Sequence, residues 1–121
     1  MRRILVVDDQ SDVCEVIRTF LAERGYVVDH ATDSPAARRL LAQERYDAAL
    51  LDVLMPGEGG LALAELAERQ GARVLLMSGH PEAMALASLR SPCELLRKPF
   101  RLSELEAAVA ALLEAAAPDK R

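Results

Sequence analysis

The sequence predicts an α/β domain whose five strands form one parallel sheet, doubly wound by five helices. Five short apolar runs recur along the 121 residues at intervals of 22, 22, 26 and 20, starting near Ile4, Tyr26, Ala48, Val74 and Glu94. Runs without polar alternation are typical of strands that are buried on both faces of a parallel sheet. Each interval leaves room for one helix and two turns, and the chain is too short for an eightfold barrel. An open sheet remains.

The first interval, between the runs ILVV and YVV, predicts a helix. Its apolar residues follow helical spacing at Val13, Ile17, Phe20 and Leu21. We expect Ser11 or Asp12 to cap the start of this helix, and Gly25 to follow its end.

The next two intervals also predict helices. Asp33 and Pro35 offer a cap and a first-turn proline, after which Ala37, Leu40 and Leu41 supply an apolar face. Residues 61–70 are rich in alanine, leucine and glutamate, and Gly71 follows them. We expect this third helix to end at that glycine.

The last two helices differ in length. Pro81 opens a short helix that should end near residue 89. Ser103 precedes a longer helix whose apolar residues are spaced i, i+4, i+7 and i+8 at Leu105, Val109, Leu112 and Leu113. The pattern is lost beyond residue 115, so we expect a domain over residues 1–117 and a tail or the start of a linker over 118–121.

Composition and charge exclude several classes of protein. The net charge is −4 and the basic residues are not gathered in one segment, which does not favour a nucleic-acid partner for this domain. No apolar run approaches the roughly 20 residues that span a bilayer. The apolar run after the basic start is too short for a signal peptide. We expect a cytoplasmic protein, with Cys14 and Cys93 as packing residues because they form neither a metal-binding spacing nor a disulfide framework.

The informative polar residues come directly after the predicted strands. The first strand ends in Asp8-Asp9, the third in Asp52, the fourth in Ser78-Gly79 and the fifth in Lys98-Pro99. In an open parallel sheet, ligands bind outside the carboxyl ends of the strands. Four strand ends should therefore bring polar groups to one edge. The second strand contributes nothing comparable, as expected of a strand at the border of the sheet.

This set of side chains indicates a particular chemistry. Three carboxylates that converge repel one another unless a cation lies among them. Hard oxygen ligands without nearby histidine or cysteine favour Mg²⁺, Mn²⁺ or Ca²⁺. An ammonium at Lys98 and a hydroxyl at Ser78 could hold a phosphoryl dianion. The sequence therefore favours phosphoryl transfer in which one carboxylate is the nucleophile.

Four segments carry a resemblance to a known family. They are ILVVDD (4–9), LLDVLMPG (50–57), LLMSGH (75–80) and LLRKPF (95–100). Together, in this order and over nearly the whole chain, they resemble the receiver domain of two-component response regulators. The resemblance implies a flavodoxin-like sheet with the strand order 2-1-3-4-5.

The resemblance also implies a role for each acidic residue. Asp52 matches the phosphorylated aspartate. Asp8 and Asp9 match the acid pair that organises Mg²⁺, for which Mn²⁺ is a substitute, with the first acid acting largely through water. The backbone carbonyl of Leu54 matches a further metal ligand.

Three more residues match the switch that the family uses. Lys98 matches the lysine that pairs with the acceptor aspartate and then with its phosphate, and Ser78 matches the hydroxyl that moves to the phosphoryl group. Pro99 matches a proline that often follows a cis peptide bond. The implied donor is a phosphohistidine on a histidine kinase or phosphotransfer protein. The implied output is a change in the surface of the fourth helix, fifth strand and fifth helix, without turnover of a substrate.

Some positions depart from the family pattern. Leu95 stands where relatives usually have an aromatic residue, or sometimes a histidine, whose rotamer reports the position of the Ser/Thr side chain. Leu54 and His80 occupy the two variable positions that tune the lifetime of the phosphate. We also expect a pliable loop beside Asp52, because three glycines lie close together at Gly57, Gly59 and Gly60.

Two other functions stay open. One is a receiver-like interaction module that works without phosphorylation, which Leu95 favours weakly and the intact Asp52, Ser78 and Lys98 disfavour. The other is a Mg²⁺-dependent aspartyl phosphatase resembling haloacid-dehalogenase-like enzymes, but the segment after Asp8 lacks their acid two residues later. The downstream partner is unknown. Monomer and phosphorylation-linked homodimer both stay open, as do a stand-alone regulator and a domain of a longer protein.

Overall fold

The computed structural model describes residues 2–55, 59–87 and 94–116, and strands alternate with helices throughout these ranges. The strands are β1 (Arg3–Val7), β2 (Val27–Ala31), β3 (Ala48–Asp52), β4 (Arg73–Ser78) and β5 (Glu94–Arg97). The helices are α1 (Ser11–Ala22), α2 (Ser34–Gln43), α3 (Gly60–Arg69), α4 (Pro81–Ala87) and α5 (Leu102–Ala116).

The five strands form one parallel sheet in the order β2-β1-β3-β4-β5. This confirms the predicted sheet and its strand order, with β2 and β5 at the two borders. Ile4 on β1 pairs with Val28 on one side and Ala48 on the other. All carboxyl ends therefore open onto the same edge, where ligands bind in sheets of this kind.

The core consists of two layers that the sheet separates. Leu5, Val7 and Leu51 face a layer completed by α2, α3 and α4. Ile4 and Leu50 face the opposite layer, which α1 and α5 complete. Alternate residues of one strand thus enter different layers, and both layers are apolar. This burial on both faces is the physical reason for the uninterrupted apolar runs in the sequence.

The predicted cap of α2 is confirmed, whereas the predicted caps of α1 are wrong. The Asp33 carboxylate accepts a hydrogen bond of 2.8 Å from the Ala36 N–H, so it is the N-cap of α2. At α1 the N-cap is Gln10, which makes no side-chain capping bond. The helix starts earlier than expected because Asp8 Oδ1 accepts the Gln10 N–H at 3.0 Å and turns the chain there.

Other helix ends agree with the sequence to within a residue or two. Gly25 follows α1 and Gly71 follows α3, both with positive φ angles that favour glycine. Helix α5 begins at Leu102, one residue before Ser103, and Glu104 Oε1 accepts the Arg101 N–H at 2.8 Å. That bond occupies an amide that the start of a helix leaves without an intrahelical partner. The predicted end of α4 near residue 89 and the tail 118–121 lie outside the described residues.

Cys14 is fully buried on α1, as predicted for a packing residue, and Cys93 lies outside the described residues. The Cys14 Sγ donates to the Asp8 carbonyl oxygen at 3.3 Å. Burial first, and then the charge of Asp8, raise the pKa of the Cys14 thiol to about 11. The thiol therefore stays protonated near neutral pH and is a poor nucleophile there. In the part of the chain that is described, no helix is both long and apolar enough to cross a membrane.

Candidate functional site

The carboxyl end of β1 supplies two adjacent acids with different surroundings. Asp8 is fully buried, whereas Asp9 is exposed. Both oxygens of Asp8 have partners, because Oδ1 accepts the Gln10 N–H at 3.0 Å and Oδ2 accepts from Lys98 Nζ at 2.7 Å. Asp9 faces an open cavity. Asp8 is therefore fixed in place, and Asp9 remains accessible to a ligand.

Asp52 ends β3, the strand next to β1, and only 7% of it is exposed. Its Oδ1 accepts the Leu54 N–H at 3.1 Å, and its Oδ2 lies 3.2 Å from Lys98 Nζ. Burial raises the pKa of Asp52 above its ordinary value. The charge of Lys98 opposes that rise in the pKa, and the charge of Asp8 adds to it.

Lys98 follows β5 and bridges two of the acids. Its Nζ donates to both Asp8 Oδ2 and Asp52 Oδ2, and its backbone N–H donates to the Ser78 carbonyl oxygen at 2.9 Å. Burial disfavours the ammonium, but the hydrogen bond to Asp8 and the charge of Asp52 outweigh it, so the pKa of Lys98 is raised. The peptide bond between Lys98 and Pro99 is cis, as the family resemblance implied.

The three acids are close enough to share one cation. Carboxylate oxygens of Asp8, Asp9 and Asp52 all lie within 4.8 Å of one another. The single charge of Lys98 cannot neutralise three carboxylates. The donor set consists of hard oxygen atoms and fits a divalent cation such as Mg²⁺. These residues therefore suit the ion that the sequence predicted.

A cavity of about 350 Å³ opens over these acids. Charged, amide, imidazole and apolar side chains all reach it, and its lining comprises Asp9, Gln10, Asp52, Leu54, Gly79, His80 and Lys98. Leu54 is 48% exposed although it is apolar. The structure thus brings most of the predicted site residues around one opening, including the two positions, Leu54 and His80, that the sequence associated with phosphate lifetime.

Besides the buried Asp8, three predicted residues do not line this cavity. Ser78 is buried at the end of β4, where its Oγ accepts the His80 N–H at 3.0 Å. Pro99 lines a different cavity, between β5 and α5. Leu95 packs against the core layer that contains α3 and α4. Any contact of Ser78 with a ligand would therefore require its hydroxyl to turn away from His80.

Comparison with known proteins decides the family of the chain. The sequence profile described as "Response regulator receiver domain" matches residues 4–110. The chain belongs to this family. It is therefore a receiver domain of two-component signalling, and Asp52 is the last residue of the central strand of its sheet.

Named relatives of this receiver domain are response regulators and related proteins. It is 38% identical to "Response regulator MprA" from Mycobacterium sp. (strain KMS), over 98% of this chain and 53% of the relative. It is 33% identical to "Protein PetR" from Rhodobacter capsulatus, over 91% of this chain and 48% of the relative. The chain thus spans about half the length of these two relatives.

Solved structures give the same family and fold. The response regulator protein TrrA from Thermotoga maritima, solved in complex with Mg²⁺-BeF, is 32% identical with a TM-score of 0.81, over 93% of this chain and 100% of that one. A receiver protein from Sinorhizobium medicae has a TM-score of 0.85 at 23% identity, over 95% and 96% of the two chains. The second likeness concerns the fold alone.

Two residues of this receiver domain were missed by reasoning from the sequence. A Cβ atom on Gly60 would lie 2.1 Å from the Asp52 carbonyl oxygen, so only glycine fits where α3 starts against that backbone. The sequence predicted pliability for this glycine, whereas the structure gives it a role in close packing. Gln10 lines the cavity, and its position directly after the acid pair was the only signal for it.

Proposed function

We propose that this receiver domain accepts a phosphoryl group on Asp52 from the phosphohistidine of a histidine kinase or phosphotransfer protein. The observation that supports this most directly is the convergence of Asp52 with two further acids and Lys98 beneath one open cavity. A partly buried ammonium held between two carboxylates is not needed to form an ordinary turn. It is well placed to meet the charge of an incoming phosphoryl group.

The proposed cation is Mg²⁺, with Mn²⁺ as a substitute, held by Asp8, Asp9, Asp52 and the backbone carbonyl of Leu54. When bound, the ion supplies positive charge that offsets the carboxylates and the phosphoryl oxygens. The exposed Asp9 is suited to direct coordination. Asp8 already accepts bonds at both oxygens, which suits a role through water. The Mg²⁺-BeF complex of the related protein TrrA agrees with this choice of ion.

The transfer step needs little from the protein beyond position and charge. One carboxylate oxygen of Asp52 attacks the phosphorus, the P–N bond breaks, and its electron pair leaves with the imidazole of the donor. Lys98 Nζ, 3.2 Å from Asp52 Oδ2, stabilises the negative charge that gathers on the phosphoryl oxygens. The Leu54 N–H holds the other oxygen of Asp52 and so orients the carboxylate.

The proposed output is a shift of Ser78 and Lys98 toward the new phosphate. Ser78 now holds the His80 N–H, so a move of its hydroxyl releases the loop that leads into α4. Lys98 follows β5 directly, and its backbone N–H donates a hydrogen bond to the Ser78 carbonyl oxygen. Both movements act on the surface of α4, β5 and α5. Leu95 lies on β5 and Pro99 lies just after it. Since Leu95 has no aromatic ring whose rotamer could change, it would transmit the movement through its packing against the core.

Intact-mass measurement tests the proposal. The protein is incubated with Mg²⁺ and phosphoramidate, alongside Asp52→Asn and the control Asp12→Asn, which alters an exposed acid on the first turn of α1. Wild type and Asp12→Asn should each gain one phosphoryl group, while Asp52→Asn should gain none. Chelation of Mg²⁺ should abolish the gain. Equal labelling of Asp52→Asn and wild type would disprove the assignment.

One observation favours a second candidate, an interaction module that works without phosphorylation. Leu95 stands on β5 where the family resemblance implies an aromatic side chain, and it is partly buried against the core. If this candidate is correct, a partner protein should bind wild type and Asp52→Asn with equal affinity, whether or not phosphoramidate and Mg²⁺ are present.

A further inference from the structure

Gln10 lines the cavity over Asp52 and directly follows the acid pair. Its backbone is held on both sides, because its N–H donates to Asp8 Oδ1 at 3.0 Å and its carbonyl accepts the Cys14 N–H at 3.2 Å. As the N-cap residue of α1 it makes no side-chain capping bond. The backbone of Gln10 is therefore fixed beside the site, and its side-chain amide is not used to cap the helix.

The chemistry of this amide differs from that of its neighbours. Asp9 and Asp52 are acceptors when ionised, and Lys98 is a donor. Gln10 offers both an N–H donor and a carbonyl acceptor without carrying a charge. Water that attacks a phosphoryl group needs a hydrogen-bond acceptor for its O–H. A neutral acceptor, unlike a carboxylate, does not repel the negatively charged phosphate. Glutamine amides orient attacking water in other phosphoryl-transfer proteins.

We propose that Gln10 orients the water that hydrolyses phospho-Asp52 and so shortens the lifetime of the phosphorylated state; this inference rests on the proposed function. The water oxygen attacks phosphorus, and the bond between phosphorus and the Asp52 oxygen breaks. The products are the free Asp52 carboxylate and inorganic phosphate, and the phosphate carries both hydrogens of the water. Gln10 accepts a hydrogen bond from the water and holds it over the cavity.

Phosphoryl uptake and loss are measured separately to test this role. Wild type, Gln10→Leu, Gln10→Ala and the matched control Gln70→Leu are labelled with phosphoramidate and Mg²⁺, and the donor is removed. Loss of the phosphoryl group is then followed by intact mass in the presence of Mg²⁺. Gln70 is the C-cap residue of α3, at the end of that helix away from Asp52, so its substitution leaves the cavity unchanged.

Both Gln10 variants should lose the phosphoryl group about three- to tenfold more slowly than wild type and Gln70→Leu, as expected for one lost hydrogen bond in the transition state. Their uptake rates should match wild type, because uptake requires no water. Unchanged loss rates would overturn the inference, and so would equal slowing of uptake and loss. Gln10→Ala controls for steric effects of the leucine side chain in Gln10→Leu. Thermal unfolding checks that each variant is folded. Failure of wild type to label at all would instead refute the proposed function.

Discussion

Lys98 is the side chain on which the charge balance of the site depends. It donates to a fully buried carboxylate, Asp8, at 2.7 Å and to Asp52 at 3.2 Å. Removal of one partner from a buried ion pair leaves an uncompensated charge, which costs more than the pair contributes. The consequences for stability should therefore depend on whether another cation can take its place.

We expect Lys98→Met to lower the free energy of unfolding by about 1–3 kcal/mol without Mg²⁺, because Asp8 and Asp52 lose their counter-charge. Added Mg²⁺ should stabilise this variant more than it stabilises wild type, since the ion then replaces the ammonium. Urea titrations with and without Mg²⁺ measure both effects. Arg97→Met, an exposed neighbour on β5, is the control and should change little. Equal stabilisation of Lys98→Met and wild type by Mg²⁺ would contradict this account.

Gly60→Ala should be far more destabilising than Gly59→Ala. A Cβ on Gly60 would meet the Asp52 carbonyl oxygen at 2.1 Å, which forces the backbone of β3 or the start of α3 to move. A Cβ on Gly59 would meet the Val53 carbonyl oxygen at 3.2 Å, which a small shift relieves. We expect a loss of about 2 kcal/mol or more for Gly60→Ala and less than about 1 kcal/mol for Gly59→Ala. Chemical denaturation compares them, and similar losses would show that the close approach is unimportant.

The acids and Lys98 could be predicted from the sequence because each directly follows an apolar run. Parallel strands place their carboxyl ends at one edge, so position after a strand becomes proximity in space. Gly60 could not be assigned its role in this way. Its importance arises from the approach of α3 to the Asp52 backbone, and no periodicity in the sequence reports a distance between two main chains. The hydrogen bond of Ser78 to His80 was hidden for the same reason.

At the helices, the contrast between α1 and α2 shows what a capping residue contributes. The Asp33 side chain accepts the Ala36 N–H, whereas Ser11 already lies inside α1. Asp33→Ala should therefore lower the free energy of unfolding by about 1 kcal/mol. Ser11→Ala should be neutral or slightly stabilising, because alanine has the higher helix propensity. Thermal unfolding distinguishes them, and an equal loss for both would mean that Asp33 acts through something other than capping.

The elements themselves were predicted to within about two residues wherever their ends are described. Apolar spacing locates the middle of a helix well, because the buried face must repeat every three or four residues. It does not locate the first residue, which local hydrogen bonds decide. At α1 the bond from Gln10 to Asp8 moved the start away from the residues that usually cap helices. The site therefore determined the boundary of the helix that follows it.

Considered as a single cooperative unit, the domain should be stabilised by the ion that its acids are suited to bind. A ligand that binds only the folded state stabilises it by about 2.7 kcal/mol at 100 times its dissociation constant. Mg²⁺ should therefore raise the unfolding midpoint of wild type, and chelation should reverse the change. NaCl at matched ionic strength controls for screening. Asp9→Asn should lose most of the Mg²⁺ effect and Asp12→Asn should keep it. A midpoint that responds equally to NaCl and Mg²⁺ would argue against a specific site.

The fold should also lose stability in alkali. Burial, and then a hydrogen bond to Asp29, raise the pKa of Tyr46, and burial raises the pKa of the Cys14 thiol to about 11. The unfolded chain releases these protons at about pH 8.5–10, before the folded protein does. Their contribution is therefore complete below that range and is lost as pH rises through the folded pKa values. Denaturation between pH 8 and 11 should show this decline, with a shallower slope for Tyr46→Phe. An unchanged slope would exclude Tyr46 as a cause.

The position of β5 at a border of the sheet has a consequence for communication with other proteins. The acids project from β1 and β3 in the interior of the sheet, but the ammonium that holds two of them together follows its outermost strand. We expect a protein that docks along this border to change the position of Lys98 without contacting Asp52. Because coupling between two sites is reciprocal, a chemical change at Asp52 must then alter the affinity of the docked protein.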